Sequence, residues 1–429
     1  MTSGIALVVF GALIVSLILT VPIGFSLGIA SLSYILYTKQ LTFGFITQNL
    51  VTGADSFPIM AIPFFVFAGE LMGGGGISRR LLNVANVYFG RIRGGLAIVT
   101  VVVCMFFAAI SGSGPATVAA VGGMVVPTML QKGYDKKFVL ALIAAAGSIG
   151  VIIPPSIPMV VYSVTTNSSV SKLFMAGFIP GIIIGIVLIG YSYFYARKMG
   201  YKGDTEPFTV KRALKETWDA KWALLSPVII LGGIYGGIFT PTEAAAVSVI
   251  YSLVIGCLVY KEMSFKQLLD VTKNACETTA TILIVIGCAA GFSKVLTLGR
   301  IPTTVATFLT SLTDSKIIIL LLINVLLLIV GCFMETLCAI MILAPILFPV
   351  VTAMGVDVTH FGIIMVVNLA IGFITPPLGV NLFVASRVGE TTLDNVIKGI
   401  IPFLVLMIAT LMLITYVPAI SLFLPNVLS

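Results

Sequence analysis

The residues best placed to do chemistry are mostly uncharged oxygens. Ala109-Ile110-Ser111-Gly112-Ser113-Gly114-Pro115-Ala116-Thr117 interrupts an uncharged run over 94–131 with two glycines, a proline and three hydroxyls. Such a stretch cannot carry a good helix through its middle, so it reads as a helix–turn–helix tip with a small N-capping residue. Irregular backbone at membrane depth survives only where protein or a watery cavity shelters it. The tip then offers carbonyl and hydroxyl oxygens, which are hard ligands for a cation. The helix after it offers a positive N-terminal end for an anion.

A second uncharged run, 138–171, is broken at Gly150-Val151-Ile152-Ile153-Pro154-Pro155-Ser156. Proline lacks an amide donor and clashes with the preceding turn, so two in succession unwind a helix. The carbonyls of Gly150 and Ile153 then lose their usual partners. Pointed at the tip, they would complete an oxygen cage for sodium; the alternative is a structural kink that holds no ion. Both features return in the second half. Gly331-Cys332-Phe333-Met334-Glu335-Thr336 places an acid between apolar runs, and Gly372-Phe373-Ile374-Thr375-Pro376-Pro377 repeats the proline break, with Thr375 and Asn381 as added polar groups. An intramembrane carboxylate is costly, and Glu335 reads either as functional or as a hydrogen-bonded structural acid. The simplest picture is two pseudo-symmetric cation sites flanking one anion site.

The elements that must position these groups are set by composition. Of 429 residues, 59% are hydrophobic and 9% charged, against roughly 25% charged in an average soluble protein. That excludes a soluble enzyme, and disorder as well. The net charge of +8 lies in short loops between apolar runs, the distribution that membrane topology produces and not a nucleic-acid signal. The first 38 residues carry no charge and have no basic start, so no cleavable signal is expected. The six cysteines show no zinc or disulfide spacing. His360 is the sole histidine, which excludes a histidine metal cluster or a Ser-His-Asp triad; no transition metal and no enzyme activity are expected. No phosphate-binding loop with its lysine follows Gly73–Gly76. Glu70 and Asp55 bracket an apolar helix beginning near Phe57, and Glu243 in Thr240-Pro241-Thr242-Glu243 reads as a first-turn capping acid.

The chain repeats itself. Gly150 and Gly372, Pro127 and Pro349, and Ala109 and Gly331 are each 222 positions apart, and Thr20-Val21-Pro22 pairs with Phe239-Thr240-Pro241 at 219. A first repeat over 1–196, with a hairpin at 94–131 and a broken helix at 138–171, is followed by a polar linker over 197–222. The second repeat, 223–429, holds a hairpin at 317–350 and a broken helix at 361–386. The linker reads either as a plain loop or as an amphipathic interfacial helix near Val210–Trp222. Basic loops at 79–93 and 132–137 have counterparts near 302–316 and 354–359 that carry one lysine between them, while 261–277 is the more basic of its pair. Since basic loops face the cytoplasm, the bias swaps between halves, as it would in an inverted repeat with binding sites near the midplane.

These residues resemble a known family. The Ser111–Thr117 tip and the Gly150–Pro155 and Gly372–Pro377 breaks are similar to those of the large membrane subunit of tripartite ATP-independent periplasmic (TRAP) transporters, in the same order and over essentially the whole chain. The resemblance implies an all-α polytopic elevator-type transporter of the ion transporter superfamily in the bacterial inner membrane. It implies sodium-driven import of an organic acid such as sialic acid or a C4-dicarboxylate, with no organic cofactor. A periplasmic substrate-binding protein and a separate small membrane subunit would be the partners. Carried onto this chain, one sodium would sit among Ser113 and the carbonyls of Gly150, Ile153 and Pro155; on physical grounds, not by the resemblance, Ser111 and Thr117 are added ligand candidates. A second would sit among Gly331, Gly372, Thr375 and Leu378. Ser113, Thr117, Ser156, Thr336 and Asn381 are the candidates to face substrate. The competing reading is a standalone sodium- or proton-coupled carboxylate symporter or exchanger of the same architecture.

Overall fold

The computed structural model describes residues 2–39, 41–204, 208–313 and 315–428, and among them it is all helix. The first half holds α1 (Thr2–Ile18), α2 (Ile23–Thr38), α3 (Phe43–Ala54), α4 (Ala61–Gly74), α5 (Ile77–Phe89), α6 (Gly95–Ser111), α7 (Gly114–Gln131), α8 (Lys136–Ser148), α9 (Ile157–Thr166) and α10 (Val170–Met199). Then come α11 (Val210–Asp219), α12 (Lys221–Tyr235), α13 (Pro241–Leu253), α14 (Phe265–Leu298) and α15 (Ile301–Leu312). The chain closes with α16 (Lys316–Phe333), α17 (Thr336–Ala353), α18 (Val358–Gly372), α19 (Val380–Val388), α20 (Leu393–Tyr416) and α21 (Ala419–Leu428). Six described helices are long and apolar enough to cross a membrane, or seven if bent α4–α5 is one span.

The hairpin α6–α7 corresponds to α16–α17, and the broken helix α8–α9 to α18–α19. Two cross-half hydrogen bonds give their relative direction. Lys136 at the start of α8 donates to the Glu390 carbonyl just after α19, at 3.4 Å. Tyr162 in the last turns of α9 donates to the Val358 carbonyl at the start of α18, at 2.9 Å. The first broken helix therefore begins where the second ends, and the copies are inverted. They also interlock: α7 packs on α19, α9 on α17, α8 on α20 and α18 on α10. Around this core, α2, α3 and α4 pack on the long α14, and α13 packs on α4. The start of α14 is tied to α5, because Glu262 pairs with both Arg79 and Arg80 at 2.7 Å while Arg80 lies 3.6 Å over the Tyr260 ring. This marks the basic face. The polar segment holds α11, whose Leu214 and Trp218 are exposed beside Lys211 and Lys215; residues 205–207 lie outside the described residues. Glu243 caps α13, accepting from the Thr240 amide at 2.8 Å in a reciprocal capping box.

Buried polar groups join α16, α18 and α20. Asn368 donates to Asn324 at 2.6 Å, and Asn324 donates to Thr415 at 3.1 Å. The 222-residue equivalents of these asparagines are Val102 and Ala146. Removing one partner leaves a buried group exposed to its desolvation cost, whereas removing both can be nearly neutral. Asn324→Leu is expected to cost about 1–3 kcal/mol and lower the unfolding midpoint in detergent. The double variant Asn324→Leu/Asn368→Ala should recover much of that loss. A double variant worse than the sum of the singles would contradict the account.

Candidate functional site

The first tip is held by its own hydroxyls. Ser111 ends α6, Gly112 turns the chain with φ of 60°, and Ser113 N-caps α7 by accepting from the Ala116 amide at 3.5 Å. Thr117 donates to the Ser113 carbonyl at 2.8 Å, and its oxygen lies 3.1 Å from the Ser111 hydroxyl. The first break sits directly against this tip. A Cβ on Gly150 would lie 2.6 Å from the Ser113 carbonyl oxygen and 2.7 Å from the Thr117 hydroxyl, and one on Gly112 would lie 2.8 Å from the Pro155 carbonyl oxygen. Only glycine allows so close an approach. Among the described residues, no hydrogen bond reaches the carbonyl oxygens of Gly150, Ile153 or Pro155. Ser156 secures the far side of the break, donating to the Val151 carbonyl at 2.6 Å and N-capping α9.

The second tip and break meet in the same way with different side chains. Gly331 and Gly372 touch through backbone: a Cβ on Gly372 would lie 2.5 Å from the Gly331 carbonyl oxygen. Leu378 donates its amide to the Cys332 carbonyl at 3.2 Å, closing the break onto α16. Thr375 gives its hydroxyl proton to the Ile371 carbonyl at 2.8 Å, leaving its oxygen lone pairs free. Pro154-Pro155 and Pro376-Pro377 are both cis. The tips differ where it matters chemically. Glu335 occupies the N-cap of α17 at the position equivalent to Ser113, and the Cys338 thiol donates to its carboxylate at 3.5 Å.

Between the tips lies a chamber of about 600 Å³. The first turns of α7, α9 and α17 all reach it, through Pro115, Ile157 and Leu337. Glu70 of α4 and Glu335 line it, and no lysine, arginine or histidine does so among the described residues. Thr278, Thr281, Ile282 and Val285 place it beside the middle of α14. Of the residues expected to face substrate, Ser113 lines the chamber, as does Ser111. Thr117, Ser156, Thr336 and Asn381 are buried behind the wall. The Asn381 amide instead crosses to the other half and donates to the Ala144 carbonyl at 3.0 Å. Sequence reasoning did not single out Gly177 and Gly181. A Cβ on either would collide with the first break, at 2.6 Å from the Ile152 carbonyl oxygen and 2.3 Å from Ile153. Their four-residue spacing was the available signal.

A family model described as the DctM component of the tripartite ATP-independent periplasmic transporter matches residues 10–420. The chain belongs to that family. As a member it is a multi-pass protein of the bacterial inner membrane, in keeping with its apolar spans. It is 52% identical over 416 residues to the isethionate TRAP transporter permease protein DctMQ of Oleidesulfovibrio alaskensis, covering 97% of this chain and 66% of that protein. The chain thus spans just under two thirds of that relative's length. It is 43% identical to the C4-dicarboxylate TRAP transporter large permease protein DctM of Pseudomonas aeruginosa, covering 94% of each. It is 38% identical to the sialic acid TRAP transporter large permease protein SiaM of Vibrio cholerae, covering 94% and 95%. In fold it is similar to the YdaH transporter of Alcanivorax borkumensis, with a TM-score of 0.64 at 16% identity over 91% of this chain and 89% of that one.

Proposed function

We propose that this DctM-family chain is the transport subunit of a sodium-driven importer of small organic anions. The observation that carries the reading is the charge of the central chamber: two carboxylates line it and, among the described residues, no basic side chain does. Helix N-termini favour an anion by roughly half a unit charge each, which does not offset two acids by itself. Cations arriving with the substrate would supply the remaining positive charge. The carbonyls of Gly150, Ile153 and Pro155 beside Ser113, and those of Gly331, Gly372 and Leu378 beside Thr375, have the oxygen chemistry that sodium prefers. Each ion that binds the loaded state better than the empty one tightens the acid by the same factor, and the acid tightens the ion in return.

The two hairpins and broken helices, α6–α9 and α16–α19, are read as one body that carries the chamber against the scaffold around α14, in an elevator movement. The names of the relatives point to sulfonates and carboxylates: isethionate, C4-dicarboxylates and sialic acid. A periplasmic binding protein and a small membrane subunit complete the assembly in this reading. Uptake of radiolabelled isethionate, succinate and sialic acid into proteoliposomes tests it, with and without a sodium gradient, the small subunit and the cognate binding protein. Sodium-dependent uptake of one acid that needs all components is the expected result. Sodium-driven uptake by this chain alone would make it a standalone symporter, and uptake indifferent to sodium would overturn the coupling.

A further inference from the structure

The helix that lines the central chamber also lines a second one. α14 gives Ile282 and Val285 to the first, and Ile286, Ser293 and Lys294 to a neighbouring chamber of about 350 Å³. Nine residues separate Val285 from Lys294, roughly 14 Å of helix. They run away from the basic face, since Glu262 just before α14 holds Arg79 and Arg80. The other walls follow the same course. α9 passes from Ile157 in the first chamber to Val164 and Thr165 in the second, and α17 passes from Cys338 to Met341. The chambers therefore lie in line along α14, the first beside its middle and the second toward the face opposite the basic one.

Their linings are opposite in charge. Lys294 is the single charged group in the second chamber, and no carboxylate lines it or pairs with Lys294 among the described residues. A lysine in a membrane span is costly unless its ammonium reaches water or a counter-charge. The hydroxyls of Thr52 and Thr165 are already donated to the carbonyls of Gln48 and Val161, at 2.8 Å each. The side chains of Ser56, Asn167 and Ser293 have no hydrogen-bond partner among the described residues, so their donors remain available beside the ammonium. We propose that this second chamber is the entry site for the organic anion on the face opposite the basic loops, with Lys294 as its charge-recognition residue. This rests on the transport reading above. An anion would be held here without sodium, and in the central chamber only with it.

Two readouts separate this proposal from that reading. In the uptake assay with all components, Lys294→Gln should raise the external concentration of acid-loaded binding protein for half-maximal uptake about tenfold, with Lys294→Arg within about twofold of wild type. Half-saturation measured by loading from the basic face should not change. An unchanged external value for Lys294→Gln, or an equal shift on both faces, would overturn the entry site. Independently of transport, a Ser56→Cys variant is labelled from outside with a membrane-impermeant maleimide and read by peptide mass spectrometry. Isethionate, succinate or sialic acid at saturating concentration should slow labelling at least threefold without sodium, and should not do so when Lys294→Gln is added. Protection without any sodium-driven uptake would keep an anion-binding site at Lys294 and remove the transport reading. Uptake without protection would do the reverse, and neither would remove both.

Discussion

A single added methyl group at Gly150 is expected to abolish uptake. A Cβ there would lie 2.6 Å from the Ser113 carbonyl oxygen and 2.7 Å from the Thr117 hydroxyl. Gly150 is buried, and the nearer obstacle is backbone, which cannot swing aside as a side-chain end could. Either the tip of α6–α7 or the break after α8 must move. A displacement near 1 Å can cost on the order of a hundredfold where function depends on alignment, and a cage of carbonyl oxygens has that dependence. Gly372→Ala should act alike in the other half, since its Cβ would meet the Gly331 carbonyl oxygen at 2.5 Å. Each variant should therefore lower sodium-driven uptake at least about a hundredfold. Gly123→Ala on α7 serves as the control: a Cβ there meets nothing within 4 Å, and uptake should stay at wild type. Abundance in the membrane and the unfolding midpoint separate a displaced tip from a chain that fails to fold. Uptake within twofold of wild type for folded Gly150→Ala would remove the tip and break from the site.

Much of this arrangement was legible because it depends on residues that disrupt helices. Ser111–Pro115 and the paired prolines concentrate helix-breaking residues within uncharged apolar runs, where a single proline such as Pro127 or Pro349 does not end the helix. The 222-residue spacing made the second copy visible even where its side chains differ, as Glu335 differs from Ser113. What could not be read was which polar groups face the chamber and which face protein. Thr117 and Ser156 sit within hydrogen-bond reach of backbone carbonyls a few residues away, and local geometry turns them inward. Asn381 reaches Ala144, 237 residues earlier, a partner that no local pattern predicts. Lengths of uncharged sequence were also ambiguous: the run over 1–38 holds two helices parted at Pro22, because proline at that point opens α2 and ends α1 early. The second chamber was invisible for a related reason. Lys294, near the end of α14, looks like an ordinary flanking charge until residues of α3 and α9 are found lining the same cavity.

Loss of one hydroxyl oxygen at each cage should raise the sodium concentration for half-maximal uptake about tenfold, which corresponds to 1.4 kcal/mol. Thr375 and Thr117 share an orientation that suits this role. Each hydroxyl gives its proton to a carbonyl, of Ile371 and Ser113 respectively, at 2.8 Å, so the oxygen lone pairs point outward. Thr375→Val keeps the side-chain shape and removes only that oxygen. Ser113 needs more care, because its hydroxyl also caps α7, and replacing a capping serine by alanine costs about 0.5–2 kcal/mol of stability while glycine costs only a few tenths. Ser113→Ala and Ser113→Gly should therefore shift sodium half-saturation equally, while only the alanine variant lowers the unfolding midpoint without sodium. A ligand that binds the folded state raises that midpoint by mass action, so sodium should stabilise all three variants less than wild type at a given concentration. The two measurements constrain each other. A variant that weakens uptake but keeps the full sodium-induced rise has damaged movement or substrate binding, not the ion site. Unchanged sodium activation in both Ser113→Gly and Thr375→Val would place the coupling ions elsewhere, and Glu335 and Glu70, the two acids facing the chamber, would then be the next groups to neutralise.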